Sequence, residues 1–245
     1  MNLDVTQTVR EVAINIPAAT RVFEQLGIDY CCGGNKSLER ACGEANVPIQ
    51  QVVESLQSAT FSAESRQNIP QENEWAKAPL ADLISHINNT HHKYTREEIA
   101  RLGPLFERVC RVHGANHPEL PKMREDFRSL AQELTTHMMK EERVLFPFIE
   151  RMEEAVIAGE PILPGPFGTV NNPVAMMEHE HETAGALLHG LRALSHDYLT
   201  PDGACFSYRT LYSALQEFER DLHQHIHLEN NILFPRAVEM ENTAK

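Results

Sequence analysis

The sequence predicts an all-α protein, a four-helix bundle preceded by a small helical unit. Four long stretches repeat apolar residues at steps of three and four, the period of an amphipathic helix. No segment alternates with period two for long enough to form a sheet. Short-to-medium loops rich in Pro and Gly separate the stretches, as in an antiparallel bundle. The 245 residues suffice for one large domain or two smaller ones.

The opening unit spans residues 1–58. Val9, Val12, Ile16, Ala19 and Phe23 predict one helix over 9–26, ending at Gly27. DYCCGG follows, then helical patterns near 37–45 and 48–56, where Ser37 suits an N-cap and Pro48 a first turn. From Ala59 the composition turns to Ser, Glu, Gln and Asn, which predicts a linker over 59–76. The bundle takes residues 77–245, its helices expected near 79–112, 122–158, 173–196 and 205–241. A bend is expected in the first at Gly103–Pro104.

Charge and cysteine usage narrow the function. Thirty-five acidic against 22 basic residues give a net charge of −13, which argues against nucleic-acid or anionic-membrane binding. No apolar run approaches a membrane span, and MNLDVTQTVREV is a poor signal peptide, so a cytoplasmic protein is expected. Five cysteines, two of them adjacent, do not form a secreted disulfide framework. Thirteen histidines make imidazole the place to look for chemistry.

An internal repeat carries that chemistry. HMMKEERVLFP from His137 and HIHLENNILFP from His225 share His-x-x-x-Glu-x-x-[Val/Ile]-Leu-Phe-Pro, 88 residues apart. His and Glu four apart share a helix face. In the second bundle helix the stripe reads Phe127, Leu130, Leu134, His137, Glu141, Val144, Phe148. In the fourth it reads Leu211, Leu215, Phe218, Leu222, His225, Glu229, Ile232. A carboxylate buried in such a stripe is costly unless it binds metal or is fully paired. The third helix adds His181, between Met177 and Ala184 on its stripe. In the first helix, periodicity leaves His86 and His91 as rivals. His223 and His227 fall on polar faces, and they are expected at a solvated surface with His92, His113, His117, His189 and His196. The Leu-Phe-Pro tails read as packing, with Pro147 and Pro235 bending each helix beyond the site.

Four imidazoles and two carboxylates from four helices suit a pair of first-row ions better than a structural zinc. Two octahedral ions offer about twelve positions, of which about two remain for dioxygen, nitric oxide or water.

The His-x-x-x-Glu pairs, with DYCCGGNKSLERA, MEHEHETAG and HIHLENNILFPRA, closely resemble the Repair of Iron Centres family, di-iron proteins with a hemerythrin-like (HHE) domain. The resemblance covers nearly the whole chain. It implies two iron ions with an oxo or hydroxo bridge, ligated by His86 (in SHI, over His91), His137, Glu141, His181, His225 and Glu229, the two Glu bridging. Gly185 stands where oxygen-carrying hemerythrins have a further His. The family implies a stress protein that restores iron–sulfur clusters damaged by nitric oxide or oxidants, by releasing iron. It also implies nitric oxide binding, and alternatives are nitric oxide reduction to nitrous oxide or gas sensing without turnover. Damaged iron–sulfur proteins are the expected partners of a monomer or homodimer.

Cys31–Cys32, before Gly33–Gly34, reads as an exposed turn serving redox or iron handling, or as two small residues in a tight turn. Cys42, Cys110 and Cys205 stand singly, and ordinary burial is expected for them.

Overall fold

The computed structural model describes residues 4–16, 18–63 and 72–244. Among them every regular element is a helix. The opening unit holds α1 (Val9–Asn15), α2 (Ala19–Leu26), α3 (Leu38–Glu44) and α4 (Ile49–Ala63). The single helix expected over 9–26 is two. Ile16 precedes a proline and is extended (φ −110°, ψ 115°), and Ala18 is left-handed at φ 65°. A residue before proline is driven out of the helical region, so the break was written in the sequence at Pro17. Thr8 caps α1 in a reciprocal pair with Glu11, and Ser37 caps α3 by accepting the Arg40 N–H. Val9, Val12, Phe23, Leu38, Val52 and Leu56 form a separate small core.

The linker expected over 59–76 overlaps the end of α4 and a short α5 (Glu72–Trp75); residues 64–71 between them lie outside the described residues. Four long helices follow. α6 covers 80–113, α7 119–158, α8 Asn171–Leu194 and α9 206–243. Glu153 of α7 caps α6 by accepting the N–H groups of Leu80 and Ala81 at 2.7 and 2.9 Å.

Three of the four are interrupted by one π-helical turn: Ile87–His92 in α6, Glu141–Leu145 in α7 and Glu229–Leu233 in α9. In α7 and α9 a Phe-Pro follows the turn directly. Proline lacks an N–H and excludes the carbonyl four residues back, a conflict that a wider turn relieves. α6 runs as a helix through Pro104, and its π turn lies at Ile87–His92.

A π turn consumes one extra residue, so the inward face slips by one position. Val144, next on the stripe read from the sequence, is 45% exposed, and Leu145 is buried in its place. The bundle therefore has two apolar layers. One contains Leu83, Ile87, Phe146, Ile149 and Phe234; the other contains Phe106, Phe127, Leu188, Leu211 and Phe218. Between them lies a layer of buried histidine and glutamate.

Candidate metal centre

The polar layer resolves into two groups that share both carboxylates. His92, His225, Glu141 and Glu229 form one, and His137, His181, Glu141 and Glu229 form the other. All six residues are buried, and Glu141 and Glu229 are wholly so. Nε2 of His92 lies 3.1 Å from Nε2 of His225, and the corresponding atoms of His137 and His181 are 2.9 Å apart. About 3 Å is the edge between neighbouring ligands when each nitrogen sits about 2.1 Å from one octahedral ion. The Glu141 oxygens face Nε2 of His92 and His137 at 3.4 and 3.2 Å, and those of Glu229 face His225 and His181 at 3.0 and 3.1 Å. Both Glu141 oxygens and Glu229 Oε2 nevertheless lack a hydrogen-bond partner. Buried carboxylate oxygens left unpaired, beside converging imidazole nitrogens, are the donor set a metal ion satisfies.

The outer nitrogens orient the rings. His92 Nδ1–H donates to Glu142 at 2.8 Å, His137 Nδ1–H to Glu180 at 2.9 Å, and His181 Nδ1–H to Asn230 at 2.8 Å. Arg96 neutralises Glu142, and Lys140 neutralises Glu180. With their protons held outward, these three rings turn Nε2 lone pairs to the centre. His225 Nδ1 is buried without a partner. Phe146 lies flat against His92 and Phe234 against His181, at 5.7 and 6.1 Å between ring centroids, so the repeated Leu-Phe-Pro tails wall the site.

Without metal, protons balance the charge. Burial opposes a charge on His92, but Glu141 and Glu229 outweigh it and push its pKa up to about 10. His137 is pushed up to about 9 against burial by Glu141, with Glu229 and Glu180 assisting. Burial and Glu229 act to raise Glu141, yet His137 and His92 hold it down at about 2. Glu229 is likewise held well below the carboxylate range, against burial, by His225, His181 and His92. On fully buried His225, burial prevails and lowers the pKa.

Five of the six residues read from the sequence, His137, Glu141, His181, His225 and Glu229, converge here; His86 does not, and His92 takes the place given to it. His86 is half-buried, stacked on Trp75 at 4.6 Å. Its rival His91 is buried beside the centre, with Nδ1 3.0 Å from Asp221. The π turn is the reason. The buried positions of α6 include Leu83, Ile84 and Ile87, then His91 and His92 together, then Thr95, Glu98, Leu102 and Phe106, and of the adjacent pair only His92 joins the central groups. From Ile87 to His92 is five residues across the π turn, so an unbroken count of 3.6 reaches His91 and misses His92. The same stripe walked backward from Phe106 through Leu102, Glu98 and Thr95 ends on it.

Other histidines expected at a solvated surface divide. His189 and His196 are exposed. His113 and His117 are half-buried, and His113 Nε2 lies 3.1 Å from Cys205 Sγ. His227 is fully buried and His223 partly so, because the opening unit covers their face: Glu24 reaches His223 at 3.0 Å and Tyr30 packs on His227. Cys205 is exposed where burial was expected.

The Cys31–Cys32 turn is not the exposed one expected. Cys31 is buried, Cys32 is half-buried, and their sulfurs are 3.8 Å apart as free thiols. The neighbouring Cys32, burial and Asp29 push the Cys31 thiol well up, so it stays protonated. With Asp29 the pair forms a third group able to hold a metal ion. A Cβ on Gly185 of α8 would lie 3.9 Å from Cys32 Sγ, which places the turn against α8 one turn beyond His181.

Comparison with known proteins agrees with this architecture. Residues 83–237 match the hemerythrin HHE cation binding domain, and residues 5–60 match a domain of unknown function (DUF542). The chain is 38% identical over 236 residues to the iron–sulfur cluster repair protein YtfE of Pectobacterium carotovorum subsp. carotovorum (strain PC1), covering 96% of this chain and 98% of that protein. It is 37% identical over 239 residues to the protein of the same name from Yersinia pseudotuberculosis serotype O:1b (strain IP 31758), with the same coverage.

Proposed function

The chain belongs to the hemerythrin-like family that includes the YtfE iron–sulfur cluster repair proteins, and on that premise we propose that it repairs iron–sulfur clusters damaged by nitrosative or oxidative stress, using two iron ions. One observation carries the reading: two buried four-residue groups share Glu141 and Glu229 as their common carboxylates. His92 and His225 would hold one ion, His137 and His181 the other, and the two Glu would bridge them. Iron bound there supplies one-electron chemistry and affinity for nitric oxide or dioxygen. The residues fix the rings through Glu142, Glu180 and Asn230 and exclude water with Phe146 and Phe234.

Each ion would have four protein donors, so both keep positions for a bridge and a small ligand. That symmetry favours nitric oxide reduction to nitrous oxide as the second reading, ahead of gas sensing without turnover. Cys31–Cys32 serves redox or iron handling beside the ions, a role supported by the approach of Cys32 to α8.

The test mixes the reduced, iron-loaded protein with an apo iron–sulfur acceptor supplied with inorganic sulfide and, separately, with nitric oxide. Repair predicts a rebuilt cluster on the acceptor with matching loss of iron from this chain. Nitrous oxide over many turnovers with iron retained would replace repair by the enzyme reading.

A further inference from the structure

The opening unit and the metal layer meet at two adjacent side chains. Asn230 and Asn231 follow Glu229 in the π turn of α9. Asn230 Nδ2 donates to the Cys31 carbonyl at 3.3 Å, and Asn231 Nδ2 donates to the Tyr30 carbonyl at 2.9 Å. Asn231 also fills the space above Gly34, where a Cβ would stand 2.2 Å from its Oδ1. The glycine is what lets the Cys31–Cys32 turn seat on α9.

A backbone carbonyl only accepts, so the contact with Cys31 dictates which end of the Asn230 amide points outward. Its Oδ1 must then face His181, and it accepts the His181 Nδ1–H at 2.8 Å. That bond leaves the His181 Nε2 lone pair directed at the centre. The amide orientation, and through it the tautomer of His181, is thus set by a residue 199 positions away in another unit.

The internal repeat supplies an independent comparison. Glu142 follows Glu141 as Asn230 follows Glu229, and Glu142 does for His92 what Asn230 does for His181. In the first half the position is a carboxylate neutralised by Arg96. A carboxylate at 230 would have no proton for the Cys31 carbonyl and would repel it. The amide is the side chain that serves both neighbours at once.

We propose that Asn230 is a positioning residue that couples docking of the Cys31–Cys32 turn to metal ligation by His181, so that seating the turn retains the metal and bound metal holds the turn seated. The coupling rests on the reading of His181 as a ligand, and by linkage it acts equally in both directions.

The test uses the full-length, iron-loaded protein as wild type, Asn230→Ala, Asn230→Asp, Gly34→Ala and the double variant Gly34→Ala/Asn230→Ala. Iron per chain, the rate of iron loss to a ferrous chelator, and amide hydrogen exchange over residues 29–36 with and without iron are measured. Losing an outer hydrogen bond to a metal-bound imidazole costs about 10–100-fold in affinity, so Asn230→Ala is expected to lose iron at least about tenfold faster. Gly34→Ala touches no imidazole yet speeds loss in the same direction, and the double variant is no faster than the faster single one. Asn230→Asp keeps an acceptor for His181 but removes one donor to the Cys31 carbonyl, which Asn231 Nδ2 also reaches at 3.4 Å, so the turn is loosened. Iron slows exchange over 29–36 in wild type, and that protection disappears in each variant. Unchanged iron loss in Gly34→Ala and Asn230→Asp, with exchange over 29–36 indifferent to iron, would overturn the coupling. Wild type lacking iron at His181 would instead overturn the metal reading, and the coupling with it.

Discussion

His92→Ala and His86→Ala separate the π-turn account of α6 from an unbroken helix. His92 is wholly buried, its Nε2 3.1 Å from that of His225 and its Nδ1 bonded to Glu142. If each four-residue group holds one ion, its loss would take one of four protein donors from one ion and leave the other's four intact. Removing even an outer partner of a metal ligand costs about 10–100-fold, so loss of the ligand itself is expected to exceed about 100-fold. Iron per chain then falls from two towards one after desalting against a chelator. His86 contributes a stacked contact with Trp75 at 4.6 Å and no donor to either group. Such a contact is worth about 1 kcal/mol, or about 2–4 °C in a chain of this size. His86→Ala is therefore expected to melt slightly lower with both irons in place. Colorimetric iron and thermal melts on the same samples decide it. Iron lost from His86→Ala and retained in His92→Ala would refute the phase shift.

Three further outcomes follow from the same geometry. Glu180→Gln replaces the carboxylate that accepts the His137 Nδ1–H, and a fall of about 10–100-fold in metal affinity is expected from chelator competition at pH 7. Metal removal is expected to lower the melting temperature by about 5–10 °C, from about 2.7 kcal/mol of linkage at one hundred times the dissociation constant; Glu229→Leu should show no such chelator-dependent drop. In the metal-free protein, His92 and His137 titrate at about 10 and about 9, above their unfolded value of about 6.5. Their contribution is complete below the unfolded value and is lost as pH rises through 9 to 10, so metal-free melts should fall across that window while loaded melts change less.

Much of the site was legible because the repeat conserves spacing within single helices. His137–Glu141 and His225–Glu229 lie four apart ahead of or at the start of each π turn, where the α-helical count still holds. His181 lies in α8, which has no such turn, and its stripe reads correctly from Val174 to Leu191. His92 escaped because it closes its π turn, after the count has already slipped, and no proline marks the place, unlike Pro147 and Pro235. The burial of His227 and Cys31 was beyond a periodicity argument. It depends on a face of the opening unit meeting α9 across about 200 residues of chain, through Tyr30, Asn231 and the gap at Gly34. The break between α1 and α2, by contrast, was available in Pro17.

Anomalous scattering at the iron edge from crystals of the loaded protein tests the central claim most directly. Two peaks are expected, one between His92 and His225 and one between His137 and His181, with Glu141 and Glu229 reaching both. A single peak, or iron held only at Asp29, Cys31 and Cys32, would contradict it.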